Sequence, residues 1–202
     1  MSNYAIIAET SKILRQILWE SFAVDPVIRA IVNTEQTIVF TNPTETARDS
    51  SNRLSLWLYQ ITENEFMKNQ PMMRTAVDTE RRFPPLALNF YYLVTPFGET
   101  GEADHLIMGR TMQTLYDNAI VVLQDNTGEI NEELRVILCR LSLEELTRIW
   151  ESLREPYRLS VCYQVKVSLI DSQQIASTAR VIERRDAYSD SPEALQQTGR
   201  LS

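Results

Sequence analysis

The segment 158–170, RLSVCYQVKVSLI, alternates over its whole length. Leu159, Val161, Tyr163, Val165, Val167 and Leu169 fall on one side, and Ser160, Cys162, Gln164, Lys166 and Ser168 on the other. A period of two is the signature of the strand pleat, so the segment predicts a long strand with one face on a core and the other toward solvent or a partner. In 53–62 the pattern places Leu54, Leu56 and Leu58 on one face and Trp57, Tyr59 and Ile61 on the other. With both faces apolar, that strand belongs inside a sheet covered on two sides. Segment 86–95, LALNFYYLVT, reads the same way, and its Tyr91 and Tyr92 are expected to pack within the sheet. Shorter strands are expected at 36–41, 120–123 and 134–140.

Helical spacing appears elsewhere. Ile6, Ile7, Ile13, Leu14, Ile17 and Leu18 predict an amphipathic helix over 4–20, capped by Ser2 or Asn3 and followed by a break at Asp25-Pro26. A second helix is expected over 101–118, with Leu106, Met108, Met112, Leu115 and Tyr116 as its apolar side and Glu102 and Asp104 favourably placed near its positive end. Ser142 and Glu145 form a capping-box signature, which predicts a third helix to about Leu153, ended by Pro156. Strands and helices in this mixture predict an α/β (α+β) fold, a mixed sheet flanked by helices. The 202 residues, 44% hydrophobic, suffice for one domain, expected over 1–185. Residues 186–202 read as a polar tail that a partner, not its own core, would order.

The charge balance, 20 Lys+Arg against 27 Asp+Glu for a net of -7, argues against nonspecific binding to nucleic acid or anionic lipid. Arginine supplies nearly all the positive charge, since Lys12, Lys68 and Lys166 are the only lysines; its planar fork suits geometrically fixed contacts, including those at interfaces. No basic start with an apolar run follows the first methionine, and no segment is long and apolar enough for a membrane span, so synthesis and assembly in the cytoplasm are expected.

Catalytic patterns are weak throughout. His105, the only histidine, stands at the start of a helix without a nucleophile motif and reads as a cap or packing residue. Cys139 and Cys162 lack metal-ligand spacing and read as buried reduced thiols in strands. Gly98-Glu-Thr-Gly101 is a turn, not a phosphate loop, and the pairs Glu132/Glu133 and Glu144/Glu145 read as solvated faces. No cofactor or metal is expected, and the chemistry points to association, not turnover.

Two segments stand out as contact candidates. The connection 63–85 is too long for a simple hairpin, and ordering it without use is costly. Its Met67, Lys68, Met72, Met73, Arg74, Arg81 and Arg82 are candidates for contact with a partner. Segment 178–185 has no clean core face, which suits an edge strand completed by an arm of another chain; Arg180, Val181, Ile182, Arg184 and Arg185 are its candidates, and closing its own sheet is the plainer alternative.

Four segments together resemble a known family: LSLWLYQITENEFMKNQP at 54–71, PPLALNFYYLVTPFG at 84–98, DHLIMGRTMQTLYDN at 104–118 and LSLEELTRIWESLREPYRLSVCYQVKVSLIDS at 141–172. They are similar to the cap, or tail-terminator, proteins of phage-tail-like contractile injection systems, the group that includes the antifeeding-prophage cap. The resemblance implies a terminator-like α/β fold with a mostly antiparallel sheet. It implies a homo-hexameric ring at the end away from the baseplate, in contact with inner-tube and sheath proteins, within a particle that is released or membrane-anchored. On that resemblance the first contact segment would meet the tube or a neighbouring protomer, and the second the sheath's arm. A baseplate or neck adaptor of the same kind of particle is the alternative. Some relatives carry a longer C-terminal portion, which leaves any role of those longer tails open here.

Overall fold

A computed structural model describes residues 5–64, 73–74, 80–82, 86–124, 130–170 and 175–177. Helix α1 (Ile6–Val24) runs four residues beyond the expected end and stops where Asp25 turns extended. Ser2 and Asn3, the expected caps, lie outside the described residues. The Asp25 carboxylate then accepts hydrogen bonds from the Val27 and Ile28 N–H groups at 3.0 and 3.2 Å, so the break also starts α2 (Pro26–Ile31), with Pro26 where no N–H is needed. Only Ile38–Val39 of the expected strand 36–41 is extended (β1), because Glu35–Thr37 is a 3-10 turn. The polar segment after it holds α3 (Pro43–Thr46), a single turn capped by Asn42.

The long strands are β2 (Leu54–Glu63), β5 (Leu86–Pro96) and β8 (Val161–Ile170), with β6 (Ile120–Gln124) and β7 (Ile130–Cys139) beside them. They form one six-stranded sheet in the order β1-β2-β5-β8-β7-β6, antiparallel throughout except for the parallel β1–β2 pair. The fold is therefore α+β with a mostly antiparallel sheet, as expected. Between β5 and β6 lies α4 (Gly101–Asp117), capped by the Thr100 hydroxyl, and between β7 and β8 lies α5 (Leu143–Leu153). The capping box forms: the Ser142 N–H donates to the Glu145 carboxylate at 2.7 Å, and the Glu145 N–H to the Ser142 hydroxyl at 3.2 Å.

One sheet face meets α1, α2 and α4. Leu14, Leu18 and Phe22 of α1, Ile28 of α2 and Ile107 and Leu115 of α4 are buried with Leu54, Leu56, Phe90, Tyr92, Val94, Leu134, Val136, Tyr163 and Val165 of the sheet. Tyr92 lies fully inside, where burial pushes its phenol up to about 12 against the opposing hydrogen bond with the Ser11 hydroxyl at 2.8 Å. The apolar side of α4 differs from the expected one. Leu106 is 40% exposed and Tyr116 83% exposed, while Thr111 and Thr114 are buried. Both threonine hydroxyls donate to carbonyls four residues back, each at 2.8 Å, which frees their methyl groups for the core.

The opposite face carries Trp57, Tyr59, Tyr91, Leu93, Cys162 and Gln164. It is not simply a solvent face, since Leu93 and Cys162 are buried. The β2–β5 register shifts between Leu58 and Gln60, leaving Tyr59 as the extra residue. Beyond the bulge Ile61 pairs with the core-facing Phe90, so it leaves the face it was expected to share with Trp57 and Tyr59. Leu159, expected on the core face of the last long strand, precedes β8 and is 38% exposed.

Candidate functional site

The connection between β2 and β5 contains two short strands. β3 (Met73–Arg74) pairs antiparallel with β4 (Glu80–Arg82), and β4 pairs antiparallel with β9 (Ile175–Ser177), forming a separate three-stranded sheet in the order β3-β4-β9. Its position follows from the main sheet. Glu63 pairs with Leu88, and Leu86 pairs with Ile170, so the end of β2, the start of β5 and the end of β8 meet at one end of the sheet. The connection singled out from sequence leaves from that end, and so does the chain that follows β8. Arg82 pairs with Ile175 and Arg81 with Ala176, which brings the first segment beside the chain that follows β8.

Met73, Arg74, Arg81 and Arg82 thus lie on paired strands, not in an irregular loop. Met67, Lys68 and Met72 fall outside the described residues, as do Arg180, Val181, Ile182, Arg184 and Arg185 with the whole of 178–185. The strand seen after β8 is β9. Sequence reading passed over it because Ile-Ala-Ser is too short to show a period. In the small sheet β3 and β9 have one strand neighbour each among the described residues. Edges of this kind offer unpaired donors and acceptors to another chain.

A second surface is apolar. Met112, Leu115 and Tyr116 of α4, with Ala119, Val136, Leu138 and Tyr163, line an open depression of about 340 Å³. Its floor is the buried Leu115 and Val136, and its rim includes Leu138, 46% exposed. The Val136 N–H donates to the Ala119 carbonyl at 2.8 Å, and β6 pairs no farther along β7 than Arg135. Residues 137–139 of β7 therefore have no strand on their outer side among the described residues. Apolar, open surfaces of this sort suit contact with protein better than capture of a polar metabolite.

The arginines expected to serve interfaces are partly spent on the chain's own fold. Arg53 donates to the Ile31 carbonyl at 3.1 Å and to Glu99 at 3.0 Å. Arg15 pairs with Glu35 at 2.9 Å and stacks over Phe40, and Arg158 reaches Asp104 at 3.4 Å while covering Phe97. These forks tie helices and loops to the sheet.

Elements of catalytic chemistry are dispersed. His105 is exposed on the first turns of α4. Among the described residues no three His, Cys, Asp or Glu side chains are grouped so that they could hold a metal ion. Glu144 forms an exposed ion pair with Arg148 at 2.6 Å, and Glu145 belongs to the helix cap. Cys139 and Cys162 are both free; Cys162 is buried as expected, whereas Cys139, on the uncovered end of β7, is only half-buried. No described helix is long and apolar enough to cross a membrane.

The model of the Pvc16 N-terminal domain family matches residues 9–184. Among solved structures, the sheath/tube terminator of an extracellular contractile injection system (PVC), in its extended state, superposes with a TM-score of 0.53 at 21% identity, over 76% of this chain and 57% of that one. The cap of the anti-feeding prophage, described as a tube-terminating cap, gives a TM-score of 0.50 at 22% identity, over 79% of this chain and 57% of that one. The chain thus spans little more than half the length of either terminator, and no curated protein matches it significantly. The likeness in fold agrees with the resemblance carried by the four sequence segments, and the family match covers all of α4, α5 and the six-stranded sheet. By that match the chain belongs to the Pvc16 N-terminal domain family.

Proposed function

We propose that the protein is a structural terminator of a contractile injection particle, a ring that stops growth of inner tube and sheath at the end away from the baseplate. The observation that carries this reading is the family match over 9–184, supported by the shared fold of two chains described as terminators. The family resemblance implies a homo-hexamer, and a closed head-to-tail ring of that order would present one common face to a tube of the same symmetry. Its partners are further copies of itself, the inner-tube protein and the sheath protein, and its role is association, not turnover. Assembly takes place in the cytoplasm, and the particle acts outside it.

The tube or neighbour contact is assigned to the β3–β4 region, with Met67, Lys68, Met72, Met73, Arg74, Arg81 and Arg82, and the sheath arm to the segment after β9, with Arg180, Val181, Ile182, Arg184 and Arg185. What supports this is the pairing of β4 with β9, which sets the strand preceding the second segment beside the first. Mixing the purified chain with its own tube and sheath subunits tests the reading by electron microscopy. The expected result is a sixfold ring on one end of length-limited particles. Labelled protein at the baseplate, or a strict monomer with and without tube subunits, overturns it.

A further inference from the structure

Cys139 and Cys162 occupy directly opposed positions on neighbouring antiparallel strands. Opposed Cα atoms in such a pair lie about 4.5 to 5.5 Å apart, inside the range a disulfide spans. Paired residues also point to the same sheet face, with Cβ atoms about 4.5 to 5.5 Å apart, so closing a bond needs only a small approach of the two strands. They share a hydrogen bond, and the Tyr59 hydroxyl closes over the Cys162 sulfur at 3.3 Å. The bulge in β2 puts Tyr59 there.

The two sulfurs differ in access. Cys162 is 2% exposed, whereas Cys139 is half-buried and lies on the part of β7 that β6 does not cover. We infer that Cys139 and Cys162 form a dithiol site that reacts with small-molecule disulfides, such as oxidised glutathione, to close a cross-strand disulfide between β7 and β8. The Cys139 thiolate attacks one sulfur of the small disulfide, forming a mixed disulfide and releasing one thiolate. Cys162 then gives up its proton to that thiolate and attacks the Cys139 sulfur, releasing the second thiolate, which takes up the proton that Cys139 lost to solvent on ionising. Two protein thiols are oxidised by two electrons, and one disulfide is reduced to two thiols.

The acid–base properties fit this division. The hydrogen bond from Cys162 holds the Cys139 thiol below its ordinary range despite partial burial, which favours the attacking thiolate. The hydrogen bond to Cys139, together with burial, pushes the Cys162 thiol up, so it remains protonated until the first step is complete. The bond would tie β7 to β8 across the α5 connection and fix the open end of β7. Nothing in this inference depends on the terminator reading.

The test uses the full chain, incubated with defined ratios of oxidised to reduced glutathione, quenched in acid and alkylated. The chain has only two cysteines, so peptide mapping identifies both unambiguously. Expected is a product lighter by two hydrogens that takes no alkylating reagent and yields one peptide pair joined through Cys139 and Cys162. Cys162→Ser should stop at a single glutathione adduct on Cys139, and Cys139→Ser should leave Cys162 largely unmodified. The inference is overturned if both thiols stay alkylatable in excess oxidised glutathione, if one chain carries two glutathione adducts, or if Cys139 links two chains instead. The serine variants also separate the bond from a folding defect, because far-ultraviolet circular dichroism should match the parent in both.

Discussion

Arg154 ends α5 at a φ of 57°, in the left-handed region that glycine enters freely and other residues enter at a cost of about 1–2 kcal/mol. Arg154→Gly should raise stability by up to about 1 kcal/mol, the strain relief being offset in part by the greater freedom of glycine in the unfolded chain. Gly98 presents the reverse case. A Cβ there would stand 2.6 Å from the Ala103 Cβ and 2.9 Å from the Asp104 nitrogen, so Gly98→Ala should lower stability by about 1–3 kcal/mol. Urea midpoints of the two variants should therefore move in opposite directions, and a shift of the same sign would contradict the local geometry. A third residue-scale expectation concerns pH. The Ser142 N–H, and after it the Ser142 hydroxyl, hold the Glu145 carboxyl below its ordinary 4.5. A depressed folded value means that the cap contributes fully above the ordinary carboxylate range and is lost as pH falls through the folded value. Ser142→Ala, which removes the hydroxyl and keeps the backbone N–H, should cost about 1 kcal/mol at neutral pH. Its urea midpoint should converge toward the parent's in acid, where the Glu145 side of the box is protonated in both.

Among the elements, α4 shows most clearly what sequence reading captures and what escapes it. The helix itself is legible, because Met108 and Leu115 fall at helical spacing and Glu102 and Asp104 stand near its positive end. Its buried stripe is not, because the stripe uses threonines whose polarity is met by their own helix carbonyls and, for Thr114, also by the Ser21 hydroxyl of α1 at 2.7 Å. The same logic gives a prediction. Thr111→Val keeps the branched shape and removes a hydroxyl that serves only the Ile107 carbonyl, so stability should stay within about 1 kcal/mol of the parent. Leu115→Ala, at the floor of the same interface, should cost about 2–5 kcal/mol. Thermal or urea melts of the pair check the assignment, and a destabilised valine variant would mean the hydroxyl has a further partner. Strands β2, β5 and β8 were readable from alternation and apolar density, because long periodic runs carry their own register. The bulge at Tyr59 was not, since an extra residue interrupts pairing without interrupting composition. β3, β4 and β9 are set by pairing between distant segments and carry two or three residues each, too few for any period. The cysteine pair needed the same information: each thiol read as an isolated core residue until the β7–β8 register placed one opposite the other.

For the whole molecule, the pairing of β4 with β9 couples the first proposed contact segment to the strand that precedes the second. Removing 178–202 leaves β3, β4 and β9 with their partners, so a ring should still form and still seat on bare tubes. Only the arm assigned to the sheath is lost, and sheathed particles should fail to retain the truncated protein. Replacing the β2–β5 connection by a tight turn is a different change. The main sheet should survive it, because the β2–β5 register is fixed by the paired residues from Leu54–Pro96 to Glu63–Leu88. It deprives β9 of its strand neighbour, however, so the segment after it loses its anchor. That variant should therefore lose control of tube length and sheath retention together. Electron microscopy of bare and sheathed particles assembled with each variant separates the outcomes. Full retention of the 178–202 deletion on sheathed particles would rule out the sheath-arm assignment. A connection-shortened variant that loses tube-length control yet holds the sheath normally would show that β9 anchors nothing.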